Sequence, residues 1–369
     1  MLGGYRFGER ATRPSLRRML RHMPVLHSRL GTWELDHVQR WSERELVMRA
    51  PAVRLVGPAT RVATIGSCFA AELAGMMGEV GIQGAMHPSG LFYTTATIRQ
   101  ELERIAGGWA ERSAEPSWPV GGGLIDPFRD YDTVYPDEAA LLGARAAADA
   151  AADDVFRGAN VVVVTLGLIE AWRNPTTGNH VRQIPHPAAF RDAGAEFHRL
   201  TVAEMLADLE RIRTVIRDHL GAEMVLTTSP VPLHATFTPH DVRIANTESK
   251  SRIRAATSEF CDRHPDVHSF HSYEMVVTAE RQSDYFKDDG RHVERRAVRY
   301  IVSEFLRLYA DPGLHLADVD SSWLTPIEKT AEIPTREPRA PRAPSKPRPL
   351  WRRAAGRAKR TVRGALGRG

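Results

Sequence analysis

The stretch that decides the fold runs Arg61-Val62-Ala63-Thr64-Ile65-Gly66-Ser67-Cys68-Phe69-Ala70. Its first half is a short apolar run that stops at a glycine, which suits a strand buried on both faces of a parallel sheet. Its second half opens a helix, expected over Ala70 to Val80 and closed by Gly81. Strand, tight turn and helix therefore follow one another within 20 residues, and Ser67 sits at the corner. A hydroxyl there lies at the carboxyl edge of a sheet, beside the free amides of a helix N-terminus, which can hold a developing oxyanion. The plain alternative is that Ser67 only caps the helix.

The same alternation continues outward. Thr94 to Ala106, Pro136 to Phe156, Thr201 to Leu220, Asn246 to His264 and Glu294 to Tyr309 read as helices; Thr201 and Glu204 form a capping box. Asn160 to Thr165, with four consecutive valines, Met224 to Thr228 and Val267 to Phe270 read as strands. Ser229 and Pro230 end the strand before them. Gly107 to Tyr135, rich in Gly, Pro and aromatics, reads as a long ordered loop. The fold class is therefore α/β, a three-layer α/β/α arrangement around a flavodoxin-like parallel sheet. In such sheets ligands bind at the carboxyl ends of strands, here the loops at Ser67, Gly167, Ser229 and beyond Phe270.

Composition narrows the class. With 369 residues, 42% of them hydrophobic, the chain can bury a full core. The longest apolar run, Val161 to Ile169, is too short for a bilayer, and no apolar block follows the basic N-terminus, so no secretory signal is expected. Two cysteines, Cys68 and Cys261, are too few for a disulfide scaffold and fit a cytoplasmic setting. Cys68 reads as a small buried hydrophobe. The histidines lack metal-ligand spacing, and no phosphate-cradling glycine loop is present, so neither a metal nor a cofactor is expected. The net charge of +5 is uneven: residues 336–369 carry twelve Lys or Arg and one Glu, leaving −6 on the rest. That balance does not suggest specific nucleic-acid binding by the main domain.

The expected organisation is an N-terminal extension over 1–57, a catalytic domain over 58–312, and a Pro/Arg-rich linker with a basic tail over 313–369. Trp33 to Leu46 has helical character. Within 350–366, Leu350, Ala354, Ala358, Val362 and Leu366 share one helical face among Arg and Lys. Three roles stay open for this tail: a solvated segment, a peripheral anchor on an anionic membrane, and a non-specific polyanion binder.

A serine needs a base to become a nucleophile. Asp289 and His292 supply an Asp-x-x-His unit just before the last helix, a spacing at which a carboxylate can orient the imidazole. The plain alternative for that unit is a surface turn. Glu170 and Trp172, after the valine strand, suit either pocket lining or packing. Asn246 suits a helix cap, and Lys250 suits contact with an anionic substrate group. Tyr273 and Glu274 are candidates for supporting positions.

Gly66-Ser67-Cys68-Phe69-Ala70 resembles the signature of the GSCFA family, relatives of SGNH-type lipases and esterases. His87-Pro88-Ser89-Gly90-Leu91-Phe92-Tyr93, Thr165 to Trp172, Thr228 to Leu233, Ala245 to Ser251, Ser272-Tyr273-Glu274 and the Asp289 segment resemble further blocks, in order, over roughly residues 58–310. The resemblance implies Ser67 as nucleophile, the Ser67 and Gly90 amides as oxyanion donors, and Asp289 with His292 as the acid–base pair. Gly167, Glu170, Trp172, Asn246, Lys250 and Arg291 would line the substrate site. Two departures stand out. Gly167-Leu168-Ile169-Glu170 replaces the SGNH block Gly-x-Asn-Asp and so lacks its oxyanion asparagine. Asp289, Arg291 and Val293 also satisfy an Asp-x-Arg-x-Val reading, in which Arg291 is the matched residue. The implied function is a serine esterase or acyltransferase acting on an O-acyl ester, acetyl and carbohydrate esters among them, through an acyl-enzyme on Ser67. The alternative is a weakly catalytic or non-catalytic carbohydrate- or ligand-binding protein reusing the fold.

Overall fold

The computed structural model describes residues 46, 48, 51, 53–107, 117–182, 195–279, 285–312 and 314. The chain divides into two units, Met1–Val47 and Met48–Gly369, and all that follows concerns the second. The helical readings at 33–46 and 350–366 lie outside the described residues, Leu46 apart.

In chain order the elements are β1 (Arg61–Gly66), α1 (Cys68–Glu79), β2 (Gln83–Met86), α2 (Thr95–Gly107), β3 (Trp118–Val120), β4 (Gly123–Asp126), β5 (Asp130–Tyr135), α3 (Glu138–Arg157), β6 (Val161–Leu166), β7 (Glu170–Arg173), β8 (His180–Val181) and β9 (Glu196–Arg199). They continue with α4 (Val202–Arg213), which runs into a π-helical turn (Thr214–His219), β10 (Glu223–Thr228), α5 (Val242–Arg263), β11 (Val267–Phe270), α6 (Ser272–Val277) and α7 (Arg295–Tyr309).

Five strands form one parallel sheet in the order β11-β10-β6-β1-β2. Read from the other edge this is the 2-1-3-4-5 order of doubly wound sheets, whose direction of winding reverses between the first and third strands. Those are β1 and β6. The valines of β6 show why it lies at the centre. Val161 and Val163 face a core shared with Phe69, Leu73 and Met77 of α1 and Ile301 and Phe305 of α7. Val162 and Val164 face the other, shared with Ile98 and Leu102 of α2, Leu209 of α4 and Ile253 and Phe260 of α5. A strand covered on both faces has no place for polar alternation.

Three expectations change. The stretch expected as a loop before Tyr135 holds a three-stranded antiparallel sheet, β3-β4-β5, where Trp118, Val120, Ile125 and Phe128 join Trp172 and Val181 in a small separate core. A second such sheet, β8-β7-β9, follows β6. The helix expected from Asn246 starts at Val242, capped by Asp241, whose side chain accepts from the Arg243 amide. The capping box at Thr201 and Glu204 forms as expected. Leu55 and Val56 are buried in the main core, and their amides donate to the Tyr309 carbonyl, so the end of the expected extension is built into the domain. No helix among the described residues is long and apolar enough to cross a membrane.

Candidate functional site

Ser67 follows β1 at the point where the winding reverses. Gly66 has φ +141°, and a Cβ there would stand 2.1 Å from the Thr165 carbonyl oxygen, so only glycine lets the end of β1 pass this close to β6. The Ser67 amide donates to both the carbonyl and Oγ1 of Thr165, at 3.0 Å each. Ser67 Oγ lies 3.2 Å from Thr165 Oγ1 and accepts from the Phe69 amide at 3.4 Å, which makes it the N-cap of α1. The residue is 2% exposed. The capping reading is thus realised, and Thr165, the polar residue that ends the valine run, is the partner that sequence reasoning missed.

The loop from His87 to Tyr93 folds over the end of β1, with the Phe92 amide donating to Gly66 O at 2.8 Å. Gly90 takes φ +90°, and its amide donates to His87 O at 3.0 Å. Gly167 packs directly against Ser67, its added Cβ falling 3.2 Å from Ser67 Cβ, and its amide donates to Tyr93 O at 3.0 Å. Ser67 and Gly167 therefore meet at one sheet edge, and their amides and that of Gly90 are all engaged inside the fold.

Asp289 and His292 pair as their spacing implied. The Asp289 carboxylate accepts from the amides of Arg291 and His292, each at 2.9 Å, and from His292 Nδ1. These bonds hold its pKa well below the usual carboxylate range. With Nδ1 donating, Nε2 is left as an acceptor and takes a bond from Arg291 Nη2 at 2.7 Å. No hydrogen bond joins His292 to Ser67 among the described residues. Cys68, beside Ser67, has a half-buried thiol. Burial pushes that thiol up, while Lys250 and Arg291 draw it part of the way back.

The remaining expected site residues hold loops together. Glu170 accepts from Thr236 Oγ1 and from the Phe237 amide at 3.0 Å, fixing the loop after β10. Trp172 packs between Phe197 and Phe237, with ring centroids 5.3 and 5.2 Å away. Asn246 Oδ1 accepts from the Leu233 amide at 3.1 Å. Ser249 Oγ accepts from the Ile169 amide at 3.0 Å. Lys250, 1% exposed, spends two donors of its Nζ on Gly167 O and Ser229 O, both at 2.8 Å. Burial lowers its pKa to about 7, against a smaller upward pull from Cys68. Glu274 pairs with Arg254, and both line a cavity of about 580 Å³ with Lys250 and Tyr273.

A buried ionic network supports the His87–Gly90 loop. His87 Nδ1 accepts from the Ser89 amide at 3.1 Å, so Nε2, 3.1 Å from Glu101 Oε1, carries the proton. Glu101, fully buried, also pairs with Arg104 and Arg129. Burial works to raise its pKa, but Arg104, His87 and Arg129 outweigh that and hold it well below the usual range. Arg129 continues to Asp149, and Arg145 meets Asp126 at 2.9 Å. Ser89, Asp126, Arg129, Tyr135, Arg145 and Arg182 border a second cavity, of about 400 Å³. Arg145 and Asp149, four apart on an Ala-rich helix, were its one signal in the sequence. Among the described residues no group of three or more His, Cys, Asp or Glu could hold a metal ion.

A five-stranded parallel sheet in 2-1-3-4-5 order, flanked by helices and with an ordered loop closing over the Gly66-Ser67 corner, places the chain among the doubly wound α/β proteins. The GSCFA family model matches residues 61–305, and the chain belongs to the GSCFA family. A solved structure from Streptococcus pneumonia, provisionally described as a platelet activating factor, is 14% identical; the match covers 67% of this chain and 84% of that one, with a TM-score of 0.35. No curated protein matches the chain.

Proposed function

We propose that this GSCFA protein is an SGNH-type acyl-transfer enzyme, an esterase or acyltransferase, that forms an acyl-enzyme on Ser67. One observation carries the reading. A serine stands at the winding reversal of a parallel sheet, and the chain also carries a carboxylate-oriented imidazole, His292 held by Asp289. In the reaction, Ser67 Oγ leaves Thr165 and attacks the ester carbonyl. His292 Nε2, released from Arg291, accepts the Ser67 proton and returns it to the departing alkoxide, while Asp289 keeps Nδ1–H in place. Water or a second hydroxyl then takes the acyl group.

A second reading, a ligand-binding protein that reuses the fold, is favoured by one fact. The amides of Ser67, Gly90 and Gly167 are all bonded internally, and the asparagine of the SGNH block is absent.

Turnover of p-nitrophenyl acetate and labelling by a fluorophosphonate separate the two readings. Ser67→Ala should lose at least about 10³-fold in either assay, and His292→Ala should lose activity comparably. Equal labelling of wild type and Ser67→Ala ends the serine reading. Loss with Ser67→Ala alone transfers the base role from His292 to another group.

A further inference from the structure

Lys250 is a buried lysine without a counter-charge among the described residues. Among the described residues no carboxylate pairs with it, and its two acceptors are backbone carbonyls. An ammonium in such a place is costly to bury. Both carbonyls belong to the loops that leave β6 and β10. Gly167, the nearer one, packs on Ser67. The next residue back, Ser249, fastens the same loop through the Ile169 amide.

We propose that Lys250 is a positioning residue: it fixes Gly167 against Ser67 and keeps a positive charge behind the Ser67–Cys68 corner to favour an anion formed there. The part that concerns Ser67 rests on the function proposed above. With its Nζ bonded to two backbone carbonyls, the lysine acts through the loop and through its field. The charged and titratable groups around it leave that field standing. Cys68 on α1 is neutral at ordinary pH, and Glu72 on the same helix is exposed. Arg254 on α5 is paired with Glu274 on α6, Tyr273 is uncharged, and Arg291 adds a second positive charge at Cys68.

Cys68 reports on this charge independently of any esterase activity. If lysine and thiol share their protons, the first is lost near pH 7 partly from the thiol, and the second well above it. Iodoacetamide alkylation of Cys68 in full-length Cys261→Ser protein, followed from about pH 6 to 10, should therefore rise in two steps. Lys250→Gln, which keeps a donor but not the charge, should collapse them into one high step and slow alkylation at pH 6, where the lysine is charged, about tenfold. A single step in the unmodified Lys250 protein overturns the proposal without need of a variant that folds. With p-nitrophenyl acetate, Lys250→Gln should lower kcat at unchanged KM; unchanged kcat removes the link to Ser67. Two-step alkylation in a protein whose Ser67 never acylates upholds the charge and overturns the esterase reading instead.

Discussion

Glu101 and Lys250 are both buried ionisable residues, and their surroundings are opposite in kind. Glu101 is ringed by Arg104, Arg129 and the Nε2–H of His87, and its network runs on from Arg129 to Asp149. Among the described residues Lys250 has two carbonyls and no carboxylate. Their pKa shifts show the consequence. Both groups are desolvated, but partners reverse the effect at Glu101 and keep it charged, whereas Lys250 falls to about 7. Buried charge that is fully matched braces a loop. Buried charge left unmatched beside a candidate nucleophile is chemistry held ready, and substitutions on the two sides should behave differently.

The largest stability effect belongs on the matched side. Glu101→Gln leaves Arg104 and Arg129 facing a neutral amide in the interior, and breaking a buried ion pair from one side costs about 3–5 kcal/mol. Urea unfolding at pH 7 measures it. The sign with pH is also fixed. Because the folded pKa of Glu101 is depressed, its contribution is present above the unfolded carboxylate range and is lost as pH falls. The variant should therefore approach the wild type in acid. A loss below 1 kcal/mol would show the network to be dispensable.

The sequence made one of these two regions far more legible than the other. Apolar runs ending at glycine or proline mark β1, β6 and β10, because a strand buried on both faces has a local signature. The corner at Ser67 and the Asp289–His292 pair were readable for the same reason: each depends on residues within a few positions. The hairpin sheets were not. β3 and β4 have three and four residues, and Trp172 pairs with Phe197 across a 25-residue gap. The Glu101 network draws on α2, α3 and the turn after β4, and nothing in the neighbours of Arg129 marks it as buried. The engagement of the Gly90 and Gly167 amides was also invisible, since it depends on how the loop folds rather than on its composition.

On the unmatched side, Lys250→Met should cost only about 1–2 kcal/mol at pH 7. Two carbonyls lose their donor, but the desolvated charge is removed with it. The pH dependence carries the distinction. The folded pKa of about 7 lies below the unfolded value of 10.5, so between them the unfolded chain binds more protons. The wild type should therefore gain stability relative to the variant as pH rises from about 7 toward 10.5. Parallel curves from chemical denaturation would mean that Lys250 is matched by a group other than those around it here.

The smallest effect tests the boundary between brace and site. Thr165 holds Ser67 by its Oγ1, which accepts the Ser67 amide and meets Ser67 Oγ, while its carbonyl gives the amide a second acceptor. Thr165→Val keeps the shape and that carbonyl, so it should cost about 1 kcal/mol, the ordinary net value of a hydrogen bond. Its effect on reactivity should have the opposite sign. With Thr165 Oγ1 gone, Ser67 Oγ is held in its capping position by the Phe69 amide alone, at 3.4 Å, and turns more readily toward an incoming ester. Fluorophosphonate labelling should then proceed at least as fast as in the wild type. A tenfold slower reaction would mean that Thr165 aims the serine rather than restrains it, and would move it from the brace to the working part of the site.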